Sequence, residues 1–180
     1  MAIKSVSITI KGVSPLLMHR YPLEPIEAIE KKSPEEQAEL AAYRIPGDTR
    51  QLYVPGTAIQ RSLVGAATFS KGKGRSSLQK SVAACVLVSP EYIGLGQTEY
   101  VVDARPVVIP ATKGRIVRCR PRLDKWEGTF TIDYDDTLVT ENQLRRVVDD
   151  AGCRVGLLDF RPERKGPFGR FMVTAWKLLR

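Results

Sequence analysis

The run from Leu52 to Ala67, LYVPGTAIQRSLVGAA, restricts the fold more than any other stretch of this chain. It reads as a short strand, a Pro55-Gly56 turn and a helix, with Thr57 as N-cap and Gln60 as its capping-box partner. Ile59, Leu63, Ala66 and Ala67 recur at helical spacing and predict a buried stripe, while Gln60, Arg61 and Val64 lie off it. Two readings of the helix start stand side by side. It is either the beginning of a well-capped core helix or an anion seat, made by free N–H groups and the positive end of the helix dipole.

The rest of the chain supplies strands and a second helix around this unit. Val6, Ile8 and Ile10 alternate with Ser5, Ser7 and Thr9, which predicts a half-exposed first strand. Gly12 to Tyr21 reads as a turn that carries the single histidine, His19. A more acidic insertion follows at about 22–49, with six glutamates between Glu24 and Glu39 and a capping box at Ser33-Pro34-Glu35-Glu36 that opens a helix ending near Tyr43. Its charge suits a basic surface on a neighbouring copy better than phosphate. Ser81 to Ser89 and Tyr100 to Ile109 read as strands, the second an edge or a bend because of Pro106. Trp126 to Asp135 reads as a strand forming a hairpin with 113–123 through Asp124-Lys125. Thr140 to Gln143 is a further capping box, opening a helix with Leu144, Val147, Val148 and Ala151 as its core stripe and Gly152 as its end. Val155 to Phe160 and Gly169 to Leu179 complete the sheet. Without the insertion and extra strands the order is βαββαβ, an α+β, ferredoxin-like (RRM-like) sheet with insertions in one domain, 1–180.

Charge narrows the choice of partner. Twenty-eight Lys and Arg against twenty Asp and Glu give +8 and a pI near 9.6, which favours a polyanion. In an extended chain Arg118, Arg120 and Arg122 share one face, and like charges so spaced repel. A phosphate backbone would neutralise them, as would cross-strand acids such as Glu127 and Asp133. Two further basic stretches, Lys71-Gly72-Lys73-Gly74-Arg75 and Arg161 to Arg170, lie in loops. The longest apolar run, Val82 to Val88, is far short of the ~20 residues of a membrane span. Cys85, Cys119 and Cys153 are odd in number and widely spaced, so reduced thiols in a cytoplasmic compartment are expected, with no signal peptide. No cofactor is expected. Asp133, Asp135 and Asp136 sit side by side at a strand end, unlike a metal cage.

Pro55, Gly56, Thr57, Ala58, Ile59 and Leu63, together with the glycine-rich Gly166-Pro167-Phe168-Gly169-Arg170-Phe171 before a last apolar strand, resemble the two signatures of the RAMP superfamily. The likeness is above all to the backbone subunits that coat guide RNA in CRISPR effector complexes. Gln60 stands where that family usually has lysine, and Val64 where it often has arginine. The resemblance implies a non-catalytic protein of a prokaryotic host that binds single-stranded RNA or DNA through phosphate and sugar. It also implies head-to-tail stacking into a helical filament, and a CRISPR system, a phage or another mobile element are equally compatible settings. The expected nucleic-acid-binding residues are Thr57, Gln60, Arg61, Lys71, Lys73, Arg75, Arg118, Arg120, Arg122, Arg164, Lys165, Gly166, Gly169 and Arg170. The alternative is a metal-independent RNA endonuclease of the guide-processing RAMP type using His19, although general acid and base work usually needs a partner and there is no second histidine. A loop aspartate with Mg²⁺ serves some backbone subunits, and Asp48 lies in a loop, but that role is not carried over to it. A third possibility is a scaffold protein whose charge only keeps it dissolved; binding that survives high salt would mark it.

Overall fold

Alternation in β1 (Ile3–Gly12) drives Val6, Ile8 and Ile10 to the core side and leaves Ser5, Ser7 and Thr9 half-buried on the other. The computed structural model describes residues 3–47, 49–72 and 74–179. After β1 come β2 (Leu16–Leu17), α1 (Ile26–Glu30), α2 (Pro34–Ala41), β3 (Tyr53–Pro55) and α3 (Gly56–Ala66), which runs into a 3₁₀ turn at Ala67–Phe69. Then follow α4 (Gln79–Cys85), β4 (Val86–Ser89), β5 (Tyr92–Gly94), β6 (Val101–Val108), β7 (Arg115–Leu123), β8 (Glu127–Asp135) and α5 (Glu141–Asp150). A π-helical turn at Ala151–Val155 and β9 (Phe171–Leu179) close the fold.

The main sheet has the order β4-β8-β1-β9, and every neighbouring pair is antiparallel. Set aside the inserted elements, and β1, α3, β4, β8, α5 and β9 follow one another as a ferredoxin-like βαββαβ unit, so the fold is α+β with insertions. Ile59, Leu63 and Ala66 of α3 and Leu144, Val147 and Val148 of α5 join Val6, Ile8, Phe130, Ile132 and Tyr134 in one buried cluster. Each Val, Leu, Ile or Phe side chain among them contributes roughly 1.5–3 kcal/mol. A second sheet, β2-β7-β6, is covered by α2, and β3 pairs with β5.

Four expectations are corrected by this arrangement. Ser81 to Cys85 is helical and only Val86–Ser89 is extended, because the Ala83-Ala84 pair favours helix and a short apolar run has no period of its own to oppose it. The arginine strand β7 does not form a hairpin with β8. It turns back on β6 in unbroken register from Val101↔Arg122 to Val108↔Arg115, while β8 is claimed by β1 and β4. Val155 to Phe160 is no strand, since Leu158 and Phe160 take left-handed φ values of 59° and 47°. Gly152 does not end the last helix, which continues through the π turn to Gly156, where φ is 76°. The capping boxes at Ser33 and Thr140 both form as the sequence predicts.

One side chain of the acidic insertion gathers four hydrogen bonds. Glu39 of α2 accepts from Arg44 Nε at 2.6 Å and Nη2 at 2.9 Å, from Arg50 Nη2 at 2.5 Å and from the Tyr100 hydroxyl at 2.9 Å. The Arg44 hydrogen bonds, against the opposing effect of burial and with help from Tyr100, hold its carboxyl at about 2 instead of 4.5. A carboxylate with a depressed folded pKa adds stability above its unfolded value, and that stability is lost as pH falls through the folded one. The shift alone would imply ~3 kcal/mol. With the side chain 38% exposed, screening reduces this to about 1–2 kcal/mol. Glu39→Gln is therefore expected to lower urea-unfolding stability by that amount at pH 7, with the gap to the parent protein closing between pH 4.5 and 2. A gap independent of pH would contradict the ion-pair account.

Candidate nucleic-acid interface

The start of α3 is not capped as the sequence suggests. Pro55 is the N-cap and no side chain closes the first turn. Thr57 lies inside the helix, and Gln60 donates through Nε2 to the Val86 carbonyl at 2.8 Å, tying α3 to β4. This fixes Gln60 as a structural link, while Thr57 and Arg61 stay exposed. Gly56 is required at the turn because a Cβ there would crowd the Pro90 carbonyl. The Gly56 N–H is taken by the Glu91 carbonyl at 2.8 Å, which leaves those of Thr57 and Ala58 as the first-turn donors without intrahelical acceptors.

That turn faces a cavity of about 270 Å³ lined by Thr57, Ala58, Arg61 and Ser62 together with His19, Tyr43, Asp159 and Arg161. The Ser62 hydroxyl donates to the Gly156 carbonyl at 3.0 Å and holds the loop after the π turn against the helix. The left-handed residues on either side of Asp159 turn its carboxylate onto the Arg120 guanidinium, with His19 Nδ1 at 3.9 Å. Burial pushes the His19 imidazole below its ordinary value, and the Arg120 and Arg118 charges act the same way against the pull of Asp159. His19 is thus uncharged at neutral pH, and the positive charge of the cavity comes from Arg61 and Arg161. Tyr43 heads an edge-to-face row with Tyr53 and Tyr92, at centroid separations of 5.5 and 4.9 Å.

From this cavity the exposed face of α3 leads toward its C-terminal end. The helix has 11 residues, about 16 Å of length. Beside its last turn lies Glu163, within contact range of a Cβ at Gly65, and the 3₁₀ turn Pro162–Arg164 carries exposed Arg164 and is followed by exposed Lys165. Arg161 is occupied by Glu163 at 2.6 Å and by the Leu158 carbonyl at 2.9 Å. Among the described residues, no ion pair reaches Arg61, Arg164 or Lys165. At the far end are Phe69, Lys71 and Arg154, whose guanidinium lies 4.9 Å from the Phe69 centroid. Arg75 is exposed in the next loop, and Lys73 and Asp48 lie outside the described residues.

The arginine row on β7 is not an open ladder. Arg120 is 6% exposed and paired with Asp159, and Arg122 donates to Asp124 at 2.8 Å and to Asp103 at 3.0 Å. Burial works against ionisation of Asp103, but the hydrogen bonds from Arg105 and Arg122 outweigh it and hold the carboxyl below its usual range. The neutralising acids are Asp103, Asp124 and Asp159, not the Glu127 and Asp133 that β8 would have offered. Arg118 alone of the three has no ion pair among the described residues, and it lies with His19 and Arg20 at the edge of α2.

The glycine-rich loop has a shaping role. Gly169 has φ 74°, and a Cβ there or at Gly166 would run into the Leu157 or Phe160 carbonyl. Arg170 donates to the Cys153 carbonyl at 2.7 Å, closing the end of the π turn, and its own N–H is held by Ser14 Oγ at 3.0 Å. The loop thus packs 156–160 against α3 and so builds the cavity wall. Asp159, Tyr43, Arg154 and Phe69 belong to this surface although no motif marks them, whereas Arg161 opens a basic stretch visible in the sequence; for the unmarked four the nearest signal is Arg154, four residues after Asp150 and paired with it at 3.1 Å. Among the described residues no group of His, Cys, Asp and Glu could hold a metal ion, and no helix is long and apolar enough to cross a membrane.

Neither a family model nor a curated protein matches this chain. The fold does match solved structures. One chain of the cryo-EM structure of the Type III-B Cmr-beta bound to cognate target RNA superposes with a TM-score of 0.57 at 12% sequence identity. The match covers 99% of this chain and 61% of that one, so this chain spans less than two thirds of that neighbour's length. At this identity the likeness is one of fold.

Proposed function

We propose that this protein is a RAMP-like subunit that binds single-stranded RNA along the exposed face of α3, mainly through phosphate, without cutting it. The observation that carries the reading is the line of cations without internal ion pairs among the described residues, Arg61, Arg164 and Lys165, running from the uncapped start of α3. An uncapped helix start attracts phosphate through its N–H groups and dipole, and guanidinium forks add to it. The fold neighbour is a chain of a complex solved with its cognate target RNA, which supports RNA over DNA as the first choice of partner. Acidic Glu27, Glu30, Glu35 and Glu36 on α1 and α2 offer a second copy's basic face a complementary surface, so binding proceeds with head-to-tail stacking along the strand.

The runner-up, cleavage by His19, is favoured by one observation, the placing of His19 and Asp159 in the same cavity. Acid–base cleavage needs a second proton-transfer group, and the chain has no other histidine.

Fluorescence anisotropy with RNA and DNA oligonucleotides of increasing length at two salt concentrations, followed by negative-stain microscopy of the complexes, tests the proposal. Submicromolar RNA binding that weakens steeply with salt, rods whose length follows the RNA, and intact RNA after incubation are expected. Absence of oligonucleotide binding, or binding insensitive to salt, would overturn it. RNA cut by the parent protein and spared by His19→Ala would replace it with the endonuclease.

A further inference from the structure

A second cavity lies at the opposite end of α3, of about 480 Å³, lined by Phe69, Ser70, Lys71, Leu78, Gln143 and Arg146. Its volume falls in the ~300–1,000 Å³ range of small-ligand pockets. Its composition differs from the phosphate-seeking cavity at the helix start. Phe69 keeps 48% of its surface exposed, unusual for a phenylalanine at the end of a core helix, and Leu78 supplies an apolar floor at 2%. Arg154 covers one face of the Phe69 ring, which leaves the other face for a planar guest. Ser70 is only 6% exposed, yet its hydroxyl has no hydrogen-bond partner among the described residues. A buried hydroxyl left unpaired costs free energy unless a ligand or water completes it. Gln143 spends its carbonyl oxygen on the Thr140 cap at 3.0 Å, so its amide N–H groups remain as donors. Lys71 and Arg146 bring positive charge to the rim.

The geometry points to this cavity as a nucleobase pocket, in which one unstacked base of the bound strand lies on Phe69 with its polar edge toward Ser70 and Gln143 while Lys71 and Arg146 hold the flanking phosphate. It rests on the reading of α3 as the path of a single strand. The pocket adds a stacking contact to what is otherwise backbone tracking. Because every base has a π face, such a contact strengthens binding with little sequence preference.

The test compares a single-stranded RNA oligomer with an abasic ribose-phosphate oligomer of equal length, on the full chain and on Phe69→Ala and Phe69→Trp. The parent protein is expected to prefer the base-bearing strand by about 5- to 30-fold, the lower part of the range known for base–aromatic stacking. Phe69→Ala removes that margin and leaves abasic affinity and salt dependence unchanged. Phe69→Trp keeps the margin, and its indole fluorescence is quenched by the base-bearing strand only. A margin that survives in Phe69→Ala, or an equal loss on both strands, would overturn the pocket. Equal affinity of the parent protein for both strands overturns the pocket while sparing the phosphate track, whereas binding to neither strand removes both.

Discussion

Asp159→Ala is expected to destabilise the protein by about 2–4 kcal/mol, seen as a fall in Tm of roughly 5–15 °C. The reason lies in Arg120, whose side chain is 7% exposed and whose charge is answered by Asp159. Its Nε is already buried without a partner, so removal of the carboxylate leaves a guanidinium with neither water nor an acid. Breaking a buried pair from one side costs about 3–5 kcal/mol, and the 32% exposure of Asp159 brings the figure toward the lower end. Replacing both partners by apolar residues, as in Asp159→Leu with Arg120→Met, is expected to recover most of the loss, because no orphan charge remains. The same single variant separates stability from binding. It withdraws a negative charge from a cavity flanked by Arg61 and Arg161, so its affinity for RNA is expected to rise even as its Tm falls. An unchanged Tm, or a fall in affinity matching the fall in Tm, would refute the division of labour between Arg120 and Arg61.

The sheet of this protein is legible in the sequence because its evidence is local. Val6, Ile8 and Ile10 alternate, Phe130, Ile132 and Tyr134 do the same, and each period translates directly into a buried face. The capping boxes at Ser33 and Thr140 likewise involve residues three apart, and both form. What the sequence hides is pairing at a distance. Whether Arg120 is free or neutralised depends on Asp159, and whether Arg122 is free depends on Asp103 on another strand. Asp159 reaches Arg120 only because Leu158 and Phe160 take left-handed φ, which neither residue type announces. Gln60 shows the same limit at the helix start. As a capping residue it would act within four positions, but the Val86 carbonyl across the fold wins it. The glycines of the last loop were visible as turn formers, yet their consequence, a wall of the cavity built by 156–160, needs the contact with Leu157 and Phe160.

The strongest effect on binding is expected from the triple variant Arg61→Ala, Arg164→Ala, Lys165→Ala. These three side chains are exposed and make no ion pair among the described residues, so their loss leaves the fold intact and Tm nearly unchanged. For a single strand each phosphate contact contributes about 0.7 to the slope of log K against log salt, so the three together should flatten it by about 2. At ~0.1 M salt the affinity for single-stranded RNA should fall on the order of 100-fold, uniformly across sequences, since phosphate contacts carry no base information. Arg122→Ala is the matched comparison. It removes the same charge from a residue already satisfied by Asp103 and Asp124, and is expected to lower stability slightly with no change of slope. Two slopes measured side by side decide the matter. A strand that runs over β7 would make Arg122→Ala the variant with the flatter slope, whereas a strand that follows α3 confines the change to the triple variant.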